Sequence, residues 1–128
     1  MNKVVLDASA ILAFLQRERG ADILTNEVLD RAIASTVNLA EVQTKLVKGG
    51  FSTDEAWEQT LSVVTAAEPY IDLHAKTAGS LITTTEKYGL SLGDRSCLAL
   101  AIALNAPVYT TVQAWRNLKV GIPIHVIR

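Results

Sequence analysis

One cysteine, three prolines, few aromatic residues (5%) and no excess of positive charge mark this chain of 128 residues. Each shortage excludes something. Cys97, alone, closes no internal disulfide, so the fold rests on a packed core and the chain fits a reducing compartment. A formal charge of −1 excludes a broadly basic protein that holds nucleic acid by bulk electrostatics, while leaving local basic clusters open. No apolar run reaches the ~18 residues that a membrane span needs, and the N-terminus enters an apolar strand without a charged leader. The expectation is a soluble, cytoplasmic protein with no membrane contact.

What is present is aliphatic. The apolar residues make up 49% of the chain and are mostly Ala, Val, Leu and Ile, a composition that suits helices packed on a parallel sheet. A chain of this length buries roughly two thirds of its unfolded surface, enough for one domain, expected over residues 1–128.

Val4-Val5-Leu6 reads as a buried strand and Ala8 to Leu15 as a helix, which sets Asp7 between them. A helical pattern follows over 21–31, then a strand over 32–36. Asn38-Leu39-Ala40-Glu41 has the spacing of a capping box and is expected to open the next helix, closed by Gly49-Gly50. Ser52-Thr53-Asp54-Glu55 has the same spacing, with a helix expected to about Ala67 and a strand over 70–73 beyond Pro69. Residues 74–88 read as a helix weakened by Thr83-Thr84-Thr85. Ser91-Leu92-Gly93-Asp94 opens a third capping box, and the apolar body from Cys97 to Leu104 predicts the most buried helix. Strand 107–110, a short helix over 111–118 and strand 124–127 complete an alternation that predicts an α/β fold. Its central, mainly parallel sheet has four or five strands with helices on both faces.

Asp7, Glu41 and Asp94 share one kind of place, the junction of a strand end with a helix start. In a parallel sheet the carboxyl ends of strands face one way, so Asp7 and Glu41 are expected at one edge. Asp94 joins them if its helix starts there. Taken singly, each acid is accounted for as a helix cap. Taken together, three carboxylates repel one another unless a cation sits between them, and an all-oxygen set suits Mg²⁺ or Mn²⁺. Phosphodiester hydrolysis is the natural reaction of such a site. Cys97 reads as core, with no neighbour in sequence to lower its pKa. Ser9, two residues past Asp7, stands where a haloacid-dehalogenase-like phosphatase needs a second Asp, and no phosphate-binding Gly-x-x-x-x-Gly-Lys loop is present.

The stretches VVLDASAILAFL, STVNLAEVQTKL, YGLSLGDRSCLALAIALNAPVYT and AWRNLKVGIPIHVI together resemble PIN-domain ribonucleases, and within them the VapC-type toxins of toxin–antitoxin pairs. The resemblance spans essentially the whole chain. It implies a Mg²⁺- or Mn²⁺-dependent endoribonuclease acting on tRNA or mRNA, with Asp7, Glu41 and Asp94 as catalytic metal ligands and Ser9 as a hydroxyl beside the metal. It also implies a homodimer and an antitoxin protein that blocks the site. The sequence departs from the family pattern at Thr110-Thr111-Val112-Gln113-Ala114-Trp115, where Val112 stands in the place of a fourth acid. Thr110, Thr111 or Gln113 remains to supply a neutral oxygen, each a weaker Mg²⁺ ligand than a carboxylate. A second reading therefore stays open, a catalytically impaired PIN-like module that binds RNA or antitoxin. Arg95, beside Asp94, and Arg116, beside Trp115, are the basic residues expected to meet RNA phosphates.

Overall fold

The computed structural model describes residues 2–128. Five strands, β1 (Val4–Leu6), β2 (Ala32–Ser35), β3 (Ala66–Glu68), β4 (Val108–Thr110) and β5 (Ile124–Val126), form one sheet in the order β3-β2-β1-β4-β5. Every adjacent pair is parallel. The central β1 and β2 are wholly buried, as expected of strands covered on both faces.

Alternation along the strands divides the core. Val4, Leu6, Ala32 and Ala34 face a layer made by helices α1 (Ala8–Leu15), α3 (Thr36–Lys48) and α4 (Thr53–Leu61). Val5, Ile33 and Val108 face α7 (Leu92–Leu104) together with Trp115. Helix α5 (Asp72–Ser80) packs on the outside of α7. Cys97 to Ala101 is buried without interruption, so the middle turns of the helix expected to be most buried lie in the core all round. Truncating Leu98 to Ala there is expected to cost about 2–5 kcal/mol.

The layout of the sheet positions the site. The chain lays down β1, β2 and β3 in one direction, then returns to place β4 and β5 on the other side of β1. The order therefore reverses between β1 and β4, and the carboxyl ends of those two strands flank the crevice where open α/β sheets hold their ligands. Asp7 follows β1, and Thr110 ends β4.

Several expected elements differ in extent. The helix expected over 21–31 is a 3₁₀ turn (Ala21–Ile23) followed by the short α2 (Asn26–Leu29), because Thr25 interrupts it and caps α2 with its own hydroxyl. Helix α4 stops at Leu61, and β3 forms before Pro69 and not over 70–73. The sheet decides that register: β3 pairs with β2 from Ala66 to Glu68, while Ile71 and Leu73 are exposed at the start of α5. Residues 74–88 divide into α5, α6 (Ile82–Thr85) and a 3₁₀ turn, and the threonine run lies in the short α6. The helix expected over 111–118 is a 3₁₀ turn over Gln113–Asn117. Among the described residues no helix is long and apolar enough to cross a membrane.

Candidate active site

Asp7 is the N-cap of α1 and is almost completely buried. Its Oδ1 accepts from the Ala10 amide (2.8 Å) and the Ser9 hydroxyl (2.7 Å), and its Oδ2 accepts from the Thr110 hydroxyl (2.6 Å). The two hydroxyls are themselves held. Ser9 Oγ accepts from the Thr111 amide at 2.9 Å, and Thr110 Oγ1 accepts from the Val112 amide at 3.1 Å. Each hydroxyl accepts there and gives its one proton to Asp7, whose ionised carboxylate can only accept. Burial pushes the Asp7 carboxyl up to about 6, against the pull of Thr110, Ala10 and Ser9, with repulsion from Asp94 adding to the rise.

Glu41 projects from α3, and here the expected capping box is corrected. The helix begins at Thr36, directly off β2 with no loop in between; Ser35 is its N-cap, and the Ser35 hydroxyl accepts from the Val37 amide. Asn38 and Glu41 therefore lie inside the helix. One turn apart, they face each other, and Asn38 Nδ2 donates to Glu41 Oε1 at 2.8 Å. The same nitrogen donates to the Gly93 carbonyl at 3.0 Å, tying α3 to the first turn of α7. Asn38 is 1% exposed, and its Oδ1 has no hydrogen-bond partner.

Asp94 occupies the place its spacing predicts. Its amide donates to the Ser91 hydroxyl (3.1 Å) and its Oδ2 accepts from the Ser91 amide (2.9 Å), a complete capping box at the start of α7. Burial pushes the Cys97 thiol well up, and the charges of Asp7, Asp94 and Glu41 add to the rise, so all three acids lie on the Cys97 side of the fold. Asp7 follows β1 and Glu41 lies in the helix that follows β2, while Asn38 Nδ2 and the Gly93 approach link Glu41 to the first turn of α7, where Asp94 stands.

The arrangement is that of acids held by the chain itself. Among the described residues no group of three or more His, Cys, Asp or Glu side chains is arranged to hold a metal ion. Asp94 keeps one oxygen on its own helix terminus, and Asp7 has donors on both oxygens. The donor set nonetheless suits a hard cation, being all oxygen, with Asn38 Oδ1 left unpartnered beside Glu41.

Ser9 and Thr110 both donate to Asp7, whereas Thr111 contributes its backbone amide to Ser9. Val112, 37% exposed, brings no oxygen from its side chain, but its amide orients Thr110. Arg95 donates to the Ala78 carbonyl of α5 at 2.9 Å, and Arg116 is exposed near the Arg128 carbonyl. Asn38 and Gly93 are parts of the site that the sequence does not mark as such. The Asn-x-x-Glu spacing that joins Asn38 to Glu41 is visible there, but a cap and a side-chain clamp share it.

The family model described as PIN domain matches residues 4–113. Comparison with curated protein sequences gives no match. Among solved structures, the chain is similar to DNA-bound VapBC from Salmonella typhimurium (TM-score 0.75, 17% identity, 97% of each chain covered). It is also similar to VapBC2 from Rickettsia felis bound to a promoter DNA fragment (TM-score 0.72, 17% identity, 94% of this chain and 96% of that one). VapBC-5 from Mycobacterium tuberculosis, a member of the VapBC family of toxin–antitoxin systems, aligns at TM-score 0.62 and 22% identity over 100% of this chain and 99% of that one.

Proposed function

This chain belongs to the PIN-domain family, and from that premise we propose that it is a VapC-type toxin, a Mg²⁺- or Mn²⁺-dependent endoribonuclease that hydrolyses phosphodiester bonds of tRNA or mRNA. The observation that carries the reading is the placing of Asp7 beside Thr110 at the edge where the strand order reverses, with Glu41 joined through Asn38 to the α7 turn that carries Asp94. A buried carboxylate with a second acid acting on it, as Asp7 has in Asp94, costs stability unless a cation or a reaction requires it.

In this reading Asp7, Glu41 and Asp94 hold the ion. Such an ion supplies charge that neutralises a phosphoryl group and acidifies a water. The chain supplies the orientation. Ser9 and Thr110 fix Asp7, Asn38 fixes Glu41, and the α7 terminus fixes Asp94. Of the two arginines expected to meet RNA, Arg95 is half-buried and held by α5, whereas Arg116 is exposed with only a long contact to the Arg128 carbonyl, so Arg116 is the proposed phosphate contact.

An antitoxin partner is proposed because the similar structures are toxin–antitoxin complexes of the VapBC type. A homodimer is supported by Ile71, Leu73 and Leu92, large apolar residues left exposed on or beside α5 and α7. A toxin acting on cellular RNA works in the cytoplasm. The second reading, an impaired binding module, is favoured by one observation, the apolar Val112 where the family pattern has an acid.

The test is cleavage of a mixed tRNA and mRNA pool with Mn²⁺, Mg²⁺ or EDTA, beside Asp7→Asn. Metal-dependent cuts lost in Asp7→Asn are the expected result. An inert natural protein that gains cleavage through Val112→Asp would favour the binding module instead.

A further inference from the structure

A cleft of about 240 Å³ adjoins the acidic site and shares Ser9 and Thr111 with it. Its remaining wall includes Gln16, Glu18, Lys45 and Arg128. Lys45 stands on α3 four residues after Glu41, one turn farther along the same face. It is exposed, and it has no ion-pair partner among the described residues. Arg128 donates to Glu18 Oε1 at 3.1 Å and to the Arg19 carbonyl at 3.3 Å, so its guanidinium is held at the wall.

We propose that this cleft seats the phosphodiester next to the scissile one, with Lys45 and Arg128 as its cationic contacts. The inference rests on the nuclease reading above. Three carboxylates outweigh the charge of one divalent ion, so attraction for the phosphates that flank the scissile one falls to cations set beside the acids. Here Lys45 and Arg128 outnumber Glu18 within the cleft that opens beside Ser9. Lys45 acts as a mobile point charge, and Arg128 presents a planar fork already oriented by Glu18. Glu18 then has a definite part: it competes with the phosphate for Arg128.

The experiment measures binding of a fluorescein-labelled single-stranded RNA of mixed sequence in EDTA at several salt concentrations, and steady-state cleavage in Mn²⁺. Lys45→Ala and Arg128→Ala are each expected to weaken binding about three- to tenfold and to lower the salt slope by ~0.7, one single-strand phosphate contact. Both should raise KM with kcat little changed. Glu18→Gln is expected to tighten RNA binding in the natural protein and much less beside Arg128→Ala, a coupling that a merely structural role for Arg128 does not give. Lys87→Ala removes the same charge from another surface and is expected to leave the slope unchanged. If the natural protein cuts RNA while Lys45→Ala and Arg128→Ala keep its KM and salt slope, the cleft is not a phosphate seat. The proposal fails equally if those variants lose only capture of an acidic protein partner. A natural protein that neither binds nor cuts RNA overturns the nuclease reading, and this proposal with it.

Discussion

The α-carbon of Gly93 lies against the Glu41 carboxylate: a methyl group added there would sit 2.5 Å from Oε2 and 2.6 Å from Oε1. The glycine is needed for space, since its backbone is ordinary helix in the first turn of α7. The group in the way is the far end of a flexible side chain, which can move but gives up its hydrogen bond from Asn38 in doing so, a cost of about 0.5–1.5 kcal/mol. Alanine gains about 0.5–1 kcal/mol over glycine within a helix. The gain and the lost hydrogen bond are of similar size, so Gly93→Ala is expected to leave thermal stability nearly unchanged while displacing Glu41. Calorimetry with Mn²⁺ should show metal affinity falling although the melting temperature holds; a variant that binds the ion like the natural protein would remove Glu41 from the ligand set.

Asp7 ties stability to pH. Its carboxyl sits near 6 in the folded chain against 3.8 for the free group, burial being the first cause. Between about pH 4 and 6 the unfolded chain loses this proton before the folded one does, so the folded state binds more protons there. Its contribution to stability is thus full below pH 4 and is lost as the pH rises through 6, a loss of roughly 2–3 kcal/mol. Asp7→Asn has no such proton. Metal-free Asp7→Asn should accordingly melt higher than the natural protein at pH 7.5, with the gap closing toward pH 4, while RNA cleavage disappears. A gap that does not change with pH would show that Asp7 ionises in the fold as it does in water.

Legibility in the sequence follows distance along the chain. Asp7 at the end of β1 and the Ser91–Asp94 capping box are local features, written in adjacent residues, and the structure has both. The start of α3 is hidden because Ser35 ends a strand and caps a helix at once, so no polar loop marks the boundary. Strand β3 is hidden because Ala66-Ala67-Glu68 carries no β-branched residue; its pairing is dictated by the edge that β2 offers. Ile71 and Leu73 have the character of strand residues, yet they stand exposed. The Gly93 approach to Glu41 joins residues far apart in sequence, and no pattern in either segment announces it.

Asn38 joins the same two segments by hydrogen bonds and gives a separate prediction. Its amide nitrogen bridges Glu41 and the Gly93 carbonyl in a buried setting. Asn38→Ala leaves that carbonyl without this donor and opens a cavity, and the expected destabilisation is about 1–3 kcal/mol. Glu41 also loses its anchor. Denaturant unfolding checks the first effect, and the second should appear as weaker Mn²⁺ binding than the stability loss alone accounts for. Should Asn38→Ala unfold earlier but bind Mn²⁺ unchanged, Asn38 serves only to join α3 to α7.

Val112 offers a gain in place of a loss. Its side chain is partly exposed just past the end of β4, while its amide donates to Thr110, which in turn donates to Asp7. A substitution at this position keeps that amide, so the hydroxyl orientation survives a change of side chain. Aspartate here adds a fourth carboxylate to a cluster whose members already repel one another through Asp7 and Asp94. Without an ion the variant should melt lower than the natural protein; with Mn²⁺ the order should reverse, because added ligand charge raises affinity for a hard cation. Comparing the two melting temperatures with and without Mn²⁺ isolates the ion from any change in packing. If Val112→Asp gains no Mn²⁺-dependent stability over the natural protein, position 112 does not face the ion, and the valine ceases to count against a working nuclease.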